Sequence, residues 1–239
     1  SGPSAARRLL LRACAGTADC VVTPSRDAMR MLHGKWGVSR RKLQMMPNGV
    51  DTARFRPPDP LERARFREAL GIPGDAHVVA CVANLVPIKS HDSLLRAWRQ
   101  VIMVDPGAIL LLAADGPLRA ELERATHRLR CADSVRFLGR RRNVATVFGA
   151  SDLFVLPSRY EGSSNALLEA MATGLPVITT AVGGNLDTVT PHCTGWMLPP
   201  GDPHRLARMM IAALLEPDAR RRVGAAAREE VKRGFSVAA

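Results

Sequence analysis

The sequence has few aromatic residues and no long apolar run. Only 4% of its 239 residues are aromatic, which disfavours the stacking platforms that bind single-stranded nucleic acid. No apolar stretch approaches the ~20 residues of a membrane-spanning helix, and the longest covers residues 108–114. We therefore expect a soluble, cytoplasmic protein without specific nucleic acid binding.

Cysteine and glycine patterns exclude further classes. The five cysteines include no Cys-x-x-Cys pair, so we expect neither a disulfide framework nor a metal site. Cys20 and Cys81 lie in apolar strand patterns, which favours positions in the core. No G-x-G-x-x-G follows the first strand of the main α/β region, which disfavours a nicotinamide-binding enzyme.

Positive charge is abundant, but it comes from arginine. The formal net charge is +12, and only four of the 34 basic residues are lysines. Arginine runs at 140–142 and 220–222 suit anionic partners such as nucleic acid or a membrane surface. Because no recognition motif accompanies them, we interpret these runs first as solvated faces. Peripheral association with the inner face of the membrane is the second interpretation.

Strand and helix patterns alternate along most of the chain. Residues 19–25, 26–35 and 43–46 predict a strand, a helix and a strand, followed by a proline-rich linker over 47–60. Beyond it the pattern predicts an α/β fold with a doubly wound, Rossmann-like parallel sheet. The predicted strands are 78–83, 109–114, 135–138, 153–156, 177–180 and 196–198, and the helices are 62–70, 91–104, 118–130, 144–150, 166–172, 203–215 and 218–232.

The first strand–helix–strand unit cannot bury both faces of its strands. We therefore expect residues 1–46 to belong to a larger preceding domain, and the start without methionine favours a trimmed chain. The predicted division is a domain remnant with its linker over 1–56, and a second domain over 57–239.

The stretch 156–184 organises the second domain. A strand ending at Leu156 leads through a small polar loop into a helix, and a second strand ends before two glycines. The first turn of such a helix offers free N–H groups to a phosphate. Glu161 and Glu169 flank this turn, where their carboxylates suit neutral sugar hydroxyls. From spacing alone, a solvated loop glutamate and an ordinary helix-surface glutamate remain open.

This stretch resembles the donor-site signature of the retaining GT-B glycosyltransferases of family four. The matching segments are EGSSNALLEAMATGLPVI at 161–178 with AVGG after it, PNGVD at 47–51, VANLVPIKSHDSLLRA at 82–97, ADGPL at 114–118, FLG at 137–139 and TGWMLPPGDPHRLA at 194–207. The resemblance implies the C-terminal half of a GT-B fold, preceded by the end of the N-terminal, acceptor-binding domain. In related enzymes a final helix returns to the first domain, and here it is expected to be missing.

The resemblance also implies roles for individual residues. Lys89 and Glu161 are the implied catalytic residues, Lys89 because a fixed cation stabilises the leaving diphosphate. Two positions depart from the family pattern, since Asn84 stands where arginine is common and Ser90 where glycine is common. The implied donor-binding residues are Asn84, Lys89, Gly116, Phe137, Leu138, Arg140, Glu161, Gly162, Ser163, Asn165, Ala166, Leu167 and Glu169, with no metal and no cofactor.

The implied function is transfer of a sugar from a nucleoside diphosphate to an acceptor hydroxyl, with retention of anomeric configuration. UDP-sugar and GDP-sugar are the expected donors, and a carbohydrate or lipid-linked acceptor suits glycan, polysaccharide or glycolipid synthesis. The alternative is a catalytically silent nucleotide-sugar or partner-binding module. A basic RNA- or membrane-associated domain ranks third.

Overall fold

The computed structural model describes the backbone of residues 5–237 and the side chains from residue 9 onward. Residues 1–4 and 238–239 of the predicted domains lie outside the described residues. In chain order the helices and strands are α1 (Ala5–Thr17), β1 (Val21–Thr23), α2 (Arg26–Gly34), β2 (Leu43–Met45), β3 (Val50–Asp51), α3 (Pro60–Ala69), β4 (Val78–Val82), α4 (His91–Val104), β5 (Ile109–Ala113), α5 (Arg119–Arg128), β6 (Val135–Gly139), α6 (Ala145–Ala150), β7 (Leu153–Leu156), α7 (Asn165–Ala172), β8 (Val177–Thr180), α8 (Asn185–Thr188), β9 (Trp196–Leu198), α9 (Pro203–Leu215), α10 (Pro217–Gly234) and β10 (Ser236–Val237).

Six parallel strands form the main sheet in the order β6-β5-β4-β7-β8-β9. The central strands are continuously apolar because helices cover both of their faces, and every residue of β5 and β7 is buried. The predicted α/β class with a doubly wound parallel sheet is confirmed. The predicted edge strand is also confirmed, since β9 pairs in parallel with β8 alone.

Helices and aromatic residues close the core around this sheet. Within the helical layers α4 packs against α9, α7 against α10, and α3 against α6. Phe148 makes edge-to-face contacts with Phe55 and Phe154, at ring-centroid distances of 6.2 and 5.8 Å, an arrangement that aromatic quadrupoles favour. Phe55 belongs to the predicted linker, so this cluster fixes the linker to the core of the main sheet.

The start of α3 follows directly from its sequence. Asp59 caps the helix through bonds from Leu61 and Glu62 N–H, and Glu62 Oε2 accepts from Asp59 N–H at 3.1 Å. This reciprocal capping box, with Pro60 in the first helical position, satisfies donors that a helix terminus otherwise leaves free.

Two small sheets lie outside the main one. β1 pairs with β2, and β3 of the linker pairs with β10, both in parallel. Several apolar side chains before residue 47 remain exposed, among them Leu9 and Leu10 of α1, Val22 of β1, and Met46. α2 buries none of its residues.

Four features differ from the predictions. Helices α1 and α8 and the β3–β10 pair form where no element was predicted. Cys20 is exposed whereas Cys81 is buried, because the short strand after Cys20 belongs to the small β1–β2 sheet.

Among residues 5–237, no helix combines the length and the apolarity needed to cross a membrane.

Candidate active site

A crevice opens between β4 and β7, where the strand order reverses. β5 and β6 follow β4 towards one edge of the sheet, whereas β8 and β9 follow β7 towards the other edge. The loops that leave the carboxyl ends of β4 and β7 therefore diverge, and ligands of open α/β sheets bind at such a switch point. These two loops contain Lys89 and Glu161.

Lys89 and Glu161 meet across the crevice in a hydrogen-bonded cluster with Ser158. Lys89 Nζ and Ser158 Oγ each donate to Glu161 Oε1 at 2.6 Å. The side chains of Lys89 and Glu161 are only 22% and 5% exposed, and Ser158 is fully buried. Among the described residues both bonds fall on Oε1 and none reaches Oε2, so one carboxylate oxygen is fixed and the other remains available.

The backbone of the first loop positions Lys89. Lys89 ends a short 3-10 turn that begins at Pro87, and Ser90 after it has φ of +54°. This left-handed conformation favours glycine, which explains why glycine is common there in the family that the sequence resembles. Arg159 N–H donates to Ile88 O at 2.8 Å and thereby ties the second loop to the first.

Gly183 and Gly184 pack directly against the backbone of the second loop. Gly184 N–H donates to Glu161 O at 2.9 Å. A Cβ on Gly183 would lie 1.8 Å from Glu161 O, and one on Gly184 would lie 2.2 Å from Gly162 O. Because only glycine permits this backbone contact, the pair that was predicted merely to end a strand also places Glu161. The sequence indicated a role for the two glycines only through their place in the AVGG segment of the family pattern.

The N-terminus of α7 faces the same crevice. Ser164 caps the helix by accepting from Leu167 N–H at 3.2 Å, so the predicted Leu167 donor is already bonded. Asn165 and Ala166 keep first-turn N–H groups that helix geometry leaves without a backbone partner. A Cβ on Gly162 would meet nothing within 4 Å, and Ser163 beside it is half-buried, so the approach to the helix is open.

Glu169 lies one helical turn further along α7. It is half-buried, and among the described residues no hydrogen bond or ion pair reaches its carboxylate. Burial raises its pKa above the ordinary value, while the charge of Arg54 acts in the opposite direction. Arg54 belongs to the linker and is far from Glu169 in sequence, so the sequence did not indicate that the two residues lie close together.

A cleft of about 380 Å³ adjoins the crevice at the ends of β4, β5 and β6. It brings together Asn84 and Arg140, which were both predicted, with Arg141, which was not. The full lining is Val82, Asn84, Ala113, Ala114, Arg140, Arg141 and Val144.

Three predicted residues lie beside this cleft without lining it. Phe137 and Leu138 are half-buried in β6, and the Phe137 ring lies 5.8 Å from the Arg119 guanidinium. A Cβ on Gly116 would lie 2.5 Å from Leu85 O. Close packing against the backbone of Leu85 is therefore sufficient to require glycine at position 116, without any contact with a ligand.

A larger cavity, of about 550 Å³, lies at the amino ends of β7 and β8, the end of the sheet opposite to the crevice. Its arginines are committed to protein acceptors: Arg63 donates to Gly149 O, Ser151 O and Asp152 Oδ1 at 2.7–3.0 Å, and Arg220 donates to Ala213 O at 2.8 Å. These contacts tie α3 to the segment before β7 and α10 to α9. The crevice with its unpartnered groups is the better candidate site.

Comparison with known families agrees with this geometry. Residues 62–230 match the family described as glycosyl transferases group 1, and residues 2–54 match the one described as glycosyltransferase family 4. The chain belongs to the glycosyl transferases group 1 family. In this family member, the matched region contains the crevice, α7 and the cleft.

Several curated relatives are similar to the chain. It is 34% identical over 238 residues to a GDP-mannose-dependent monoacylated alpha-(1-6)-phosphatidylinositol monomannoside mannosyltransferase of Corynebacterium glutamicum, covering 96% of this chain and 61% of that protein. It is 34% identical over 196 residues to a D-inositol 3-phosphate glycosyltransferase of Saccharomonospora viridis, covering 77% of this chain and 45% of that one. The chain thus spans between about half and three fifths of these relatives.

Solved structures share the fold. HepE of Anabaena, crystallised with UDP and glucose, superposes with a TM-score of 0.91 over 98% of this chain and 64% of HepE, at 22% identity. Sucrose-phosphate synthase of Thermosynechococcus elongatus superposes with a TM-score of 0.86 at 31% identity, covering 98% of this chain and 58% of that one.

The N-terminal segment reaches the edge of the crevice. Arg26 N–H, in the first turn of α2, donates to Asp187 Oδ2 of α8 at 2.7 Å. Burial and the nearby Asp27 raise the pKa of Tyr160, which directly precedes Glu161. The family member therefore places residues from both predicted domains beside the site.

Proposed function

We propose that the chain contains the donor-binding and catalytic half of a retaining glycosyltransferase, which transfers a sugar from a nucleoside diphosphate to an acceptor hydroxyl. The observation that carries the proposal is the Lys89–Glu161–Ser158 cluster at the switch point. It places a cation and an oriented carboxylate beside the open N-terminus of α7. The family membership supports a transferase, and the geometry supports this division of roles.

Each proposed role follows from the chemistry of the side chain. Negative charge grows on the diphosphate as the sugar leaves, so the Lys89 ammonium and the free N–H groups of Asn165 and Ala166 stabilise the departing group. Glu161 Oε2 accepts hydrogen bonds from hydroxyls of the donor sugar. Glu169, whose carboxylate has no partner among the described residues, accepts from the two hydroxyls of the ribose.

The Lys89 ammonium and the N–H groups of Asn165 and Ala166 supply this charge stabilisation without a metal. Glu161 serves to orient the donor sugar, and retention follows if acceptor attack and departure occur on the same face. We propose that Phe137, Leu138 and Arg140 bound the base, and that Gly162 and Ser163 leave space for the sugar.

We also propose donor and acceptor classes from the relatives. The GDP-mannose-dependent relative makes GDP the first nucleotide to test, and the UDP complex of HepE makes UDP the second. The same relative acts on a phosphatidylinositol mannoside, so a lipid-linked acceptor at the cytoplasmic face of a membrane is the leading class. The acceptor site would lie largely in the first domain, and the two family matches, meeting between residues 54 and 62, support the division at residues 56 and 57.

The first experiment is a calorimetric titration of GDP and UDP into the wild-type chain and into Glu169→Gln. We expect one nucleotide to bind selectively and its 2′-deoxy analogue to bind more weakly, because a hydrogen bond to a charged group contributes about 1.5–3 kcal/mol. Glu169→Gln should lose the preference for ribose.

Folding of the variant provides the control. Because burial raises the pKa of Glu169, its ionised form is disfavoured in the folded state, and this penalty grows as the pH rises through the ordinary carboxylate range. Glu169→Gln should therefore be at least as stable as the wild type at neutral pH. Equal binding of ribose and deoxyribose nucleotides by the wild type would refute the role of Glu169.

A further inference from the structure

The positive charge at the crevice is smaller than a nucleoside diphosphate requires. Each phosphate of a sugar-linked diphosphate is negatively charged, and departure of the sugar adds further charge. Lys89 lies in the crevice, but it is paired at 2.6 Å with Glu161, so the pair together is neutral. Asn84, in the same loop, supplies hydrogen bonds without charge.

The neighbouring cleft contains the missing charge. Arg140 and Arg141 line it together with Asn84, and no lining residue is acidic. Within the described residues neither arginine lies within 4 Å of a carboxylate. Arg119 on the adjacent helix differs, because it is paired with Glu123 at 2.9 Å and with Asp115 at 3.8 Å.

Arg141 is the better anchored of the two arginines. Its Nε donates to Leu138 O at 3.1 Å, which restrains the side chain at the end of β6. This bond uses neither terminal nitrogen, and no other bond from Arg141 occurs among the described residues. A guanidinium held in this way presents two parallel donors, the geometry that suits phosphate oxygens.

We propose that Arg141 binds the diphosphate of the donor and supplies, from the end of β6, the positive charge that Asn84 does not supply from the end of β4. This inference rests on the proposed function, and it assigns a diphosphate-binding residue that the sequence analysis interpreted as part of a solvated run.

Two other arginines near the crevice fit this role less well. Arg54 does not line the cleft; its guanidinium lies 5.1 Å from the Phe55 ring centroid, and its charge opposes the rise in the pKa of Glu169 that burial causes. The backbone of Arg159 is fixed to the first loop, but its exposed side chain does not line the cleft that contains Asn84. Arg159→Gln is therefore a useful comparison.

The test compares Arg141→Gln with Arg142→Gln. Arg142 is an adjacent arginine that is also exposed but does not line the cleft, and its backbone contact with Arg54 survives the substitution. GDP, UDP, guanosine and uridine would be titrated into each chain by calorimetry. Arg141→Gln should weaken binding of the preferred diphosphate about tenfold, the lower part of the range for bonds to charged groups, and leave the matching nucleoside unchanged.

A rescue variant makes the test sharper. Asn84→Arg in the Arg141→Gln background should restore diphosphate binding, because either side of the cleft would then supply the cation. Failure of this rescue, or equal losses in Arg141→Gln and Arg142→Gln, would overturn the assignment. So would a larger loss in Arg159→Gln than in Arg141→Gln.

The same titrations distinguish a wrong donor site from a wrong role for Arg141. If the wild-type chain binds neither GDP nor UDP, the proposed donor site itself is wrong. If the wild type binds one of them and Arg141→Gln binds it equally well, only the role of Arg141 is wrong. Because Arg141 is exposed, unfolding of the variant is not expected, and its thermal unfolding curve would verify this.

Discussion

Replacing Lys89 by methionine should destabilise the protein measurably, although the substitution removes only one ammonium group. Methionine keeps most of the aliphatic stem, so the main loss is the 2.6 Å contact with Glu161. Glu161 is 5% exposed, and its carboxylate would keep only the Ser158 bond. Breaking one partner of a buried pair costs about 3–5 kcal/mol. Because Lys89 itself is 22% exposed, solvent screens part of the pair's interaction, and we expect a loss of about 2 kcal/mol in the free energy of unfolding.

Urea unfolding near neutral pH, followed by circular dichroism, would measure this loss. A double-mutant cycle with Glu161→Leu isolates the pair, and its coupling energy should be about 1–3 kcal/mol. Lys232→Met is the matched control, because Lys232 pairs at 3.0 Å with Glu229 where both side chains are largely exposed. Exposed pairs contribute at most about 1 kcal/mol, so this variant should stay close to the wild type.

Salt provides a second criterion. Added salt should weaken the Lys232 contribution and leave the Lys89 contribution nearly intact, since buried pairs are screened less. A Lys89→Met variant as stable as Lys232→Met would refute the stabilising contribution of the Lys89–Glu161 pair. It would mean that the Lys89–Glu161 contact does not persist in solution.

Two further predictions concern backbone packing and pH. Gly183→Ala should cost more than about 2 kcal/mol of unfolding free energy, because its Cβ would lie 1.8 Å from Glu161 O and its φ is +49°; Gly162→Ala, with open space around it, should cost little, and similar urea midpoints would contradict this. Burial, together with the charge of Lys89, lowers the pKa of His91 to about 4. The unfolded chain, where the pKa is about 6.5, therefore binds a proton more readily than the folded one. The contribution of neutral His91 to folding stability is complete above about pH 6.5 and is lost as the pH falls towards 4. Between about pH 7 and pH 4.5 the wild type should lose up to roughly 3 kcal/mol more stability than His91→Gln, since one pKa unit corresponds to about 1.4 kcal/mol; parallel pH profiles would contradict it.

The main sheet could be predicted from the sequence because its signals are local. The apolar run of β4 ends at a loop, and the pattern of α7 ends at Gly174, which has φ of +78°. Each signal lies within a few residues of the element that it predicts.

The missed elements lack such local signals. β3 and β10 are only two residues long, too short for any periodicity, and α8 is a single turn after two glycines. These elements exist because distant segments hold them. β3 is paired with β10, and α8 is fixed by Asn185, whose side chain donates to Thr179 Oγ1 and Thr180 O.

The site was predictable as a set of residues but not as a set of contacts. Sequence patterns named Glu161 and Lys89, yet nothing in them showed that the two bond to each other or that Ser158 shares the same carboxylate oxygen. Arg54 and Arg141 were missed for the same reason. Their relevance depends on which loops the strand order brings together, a property of the folded chain.

The pairing of β3 with β10 has a consequence for how the protein forms on the ribosome. β3 precedes the main sheet in the chain, whereas β10 is synthesised only after all six strands of that sheet. The linker therefore cannot acquire its strand partner until the sheet between them has emerged, and a contact so distant in sequence forms late because the loop it closes is long. During synthesis the main sheet can therefore form before the linker acquires its strand partner. β10, which follows all six strands of the main sheet, then fixes the linker that precedes them.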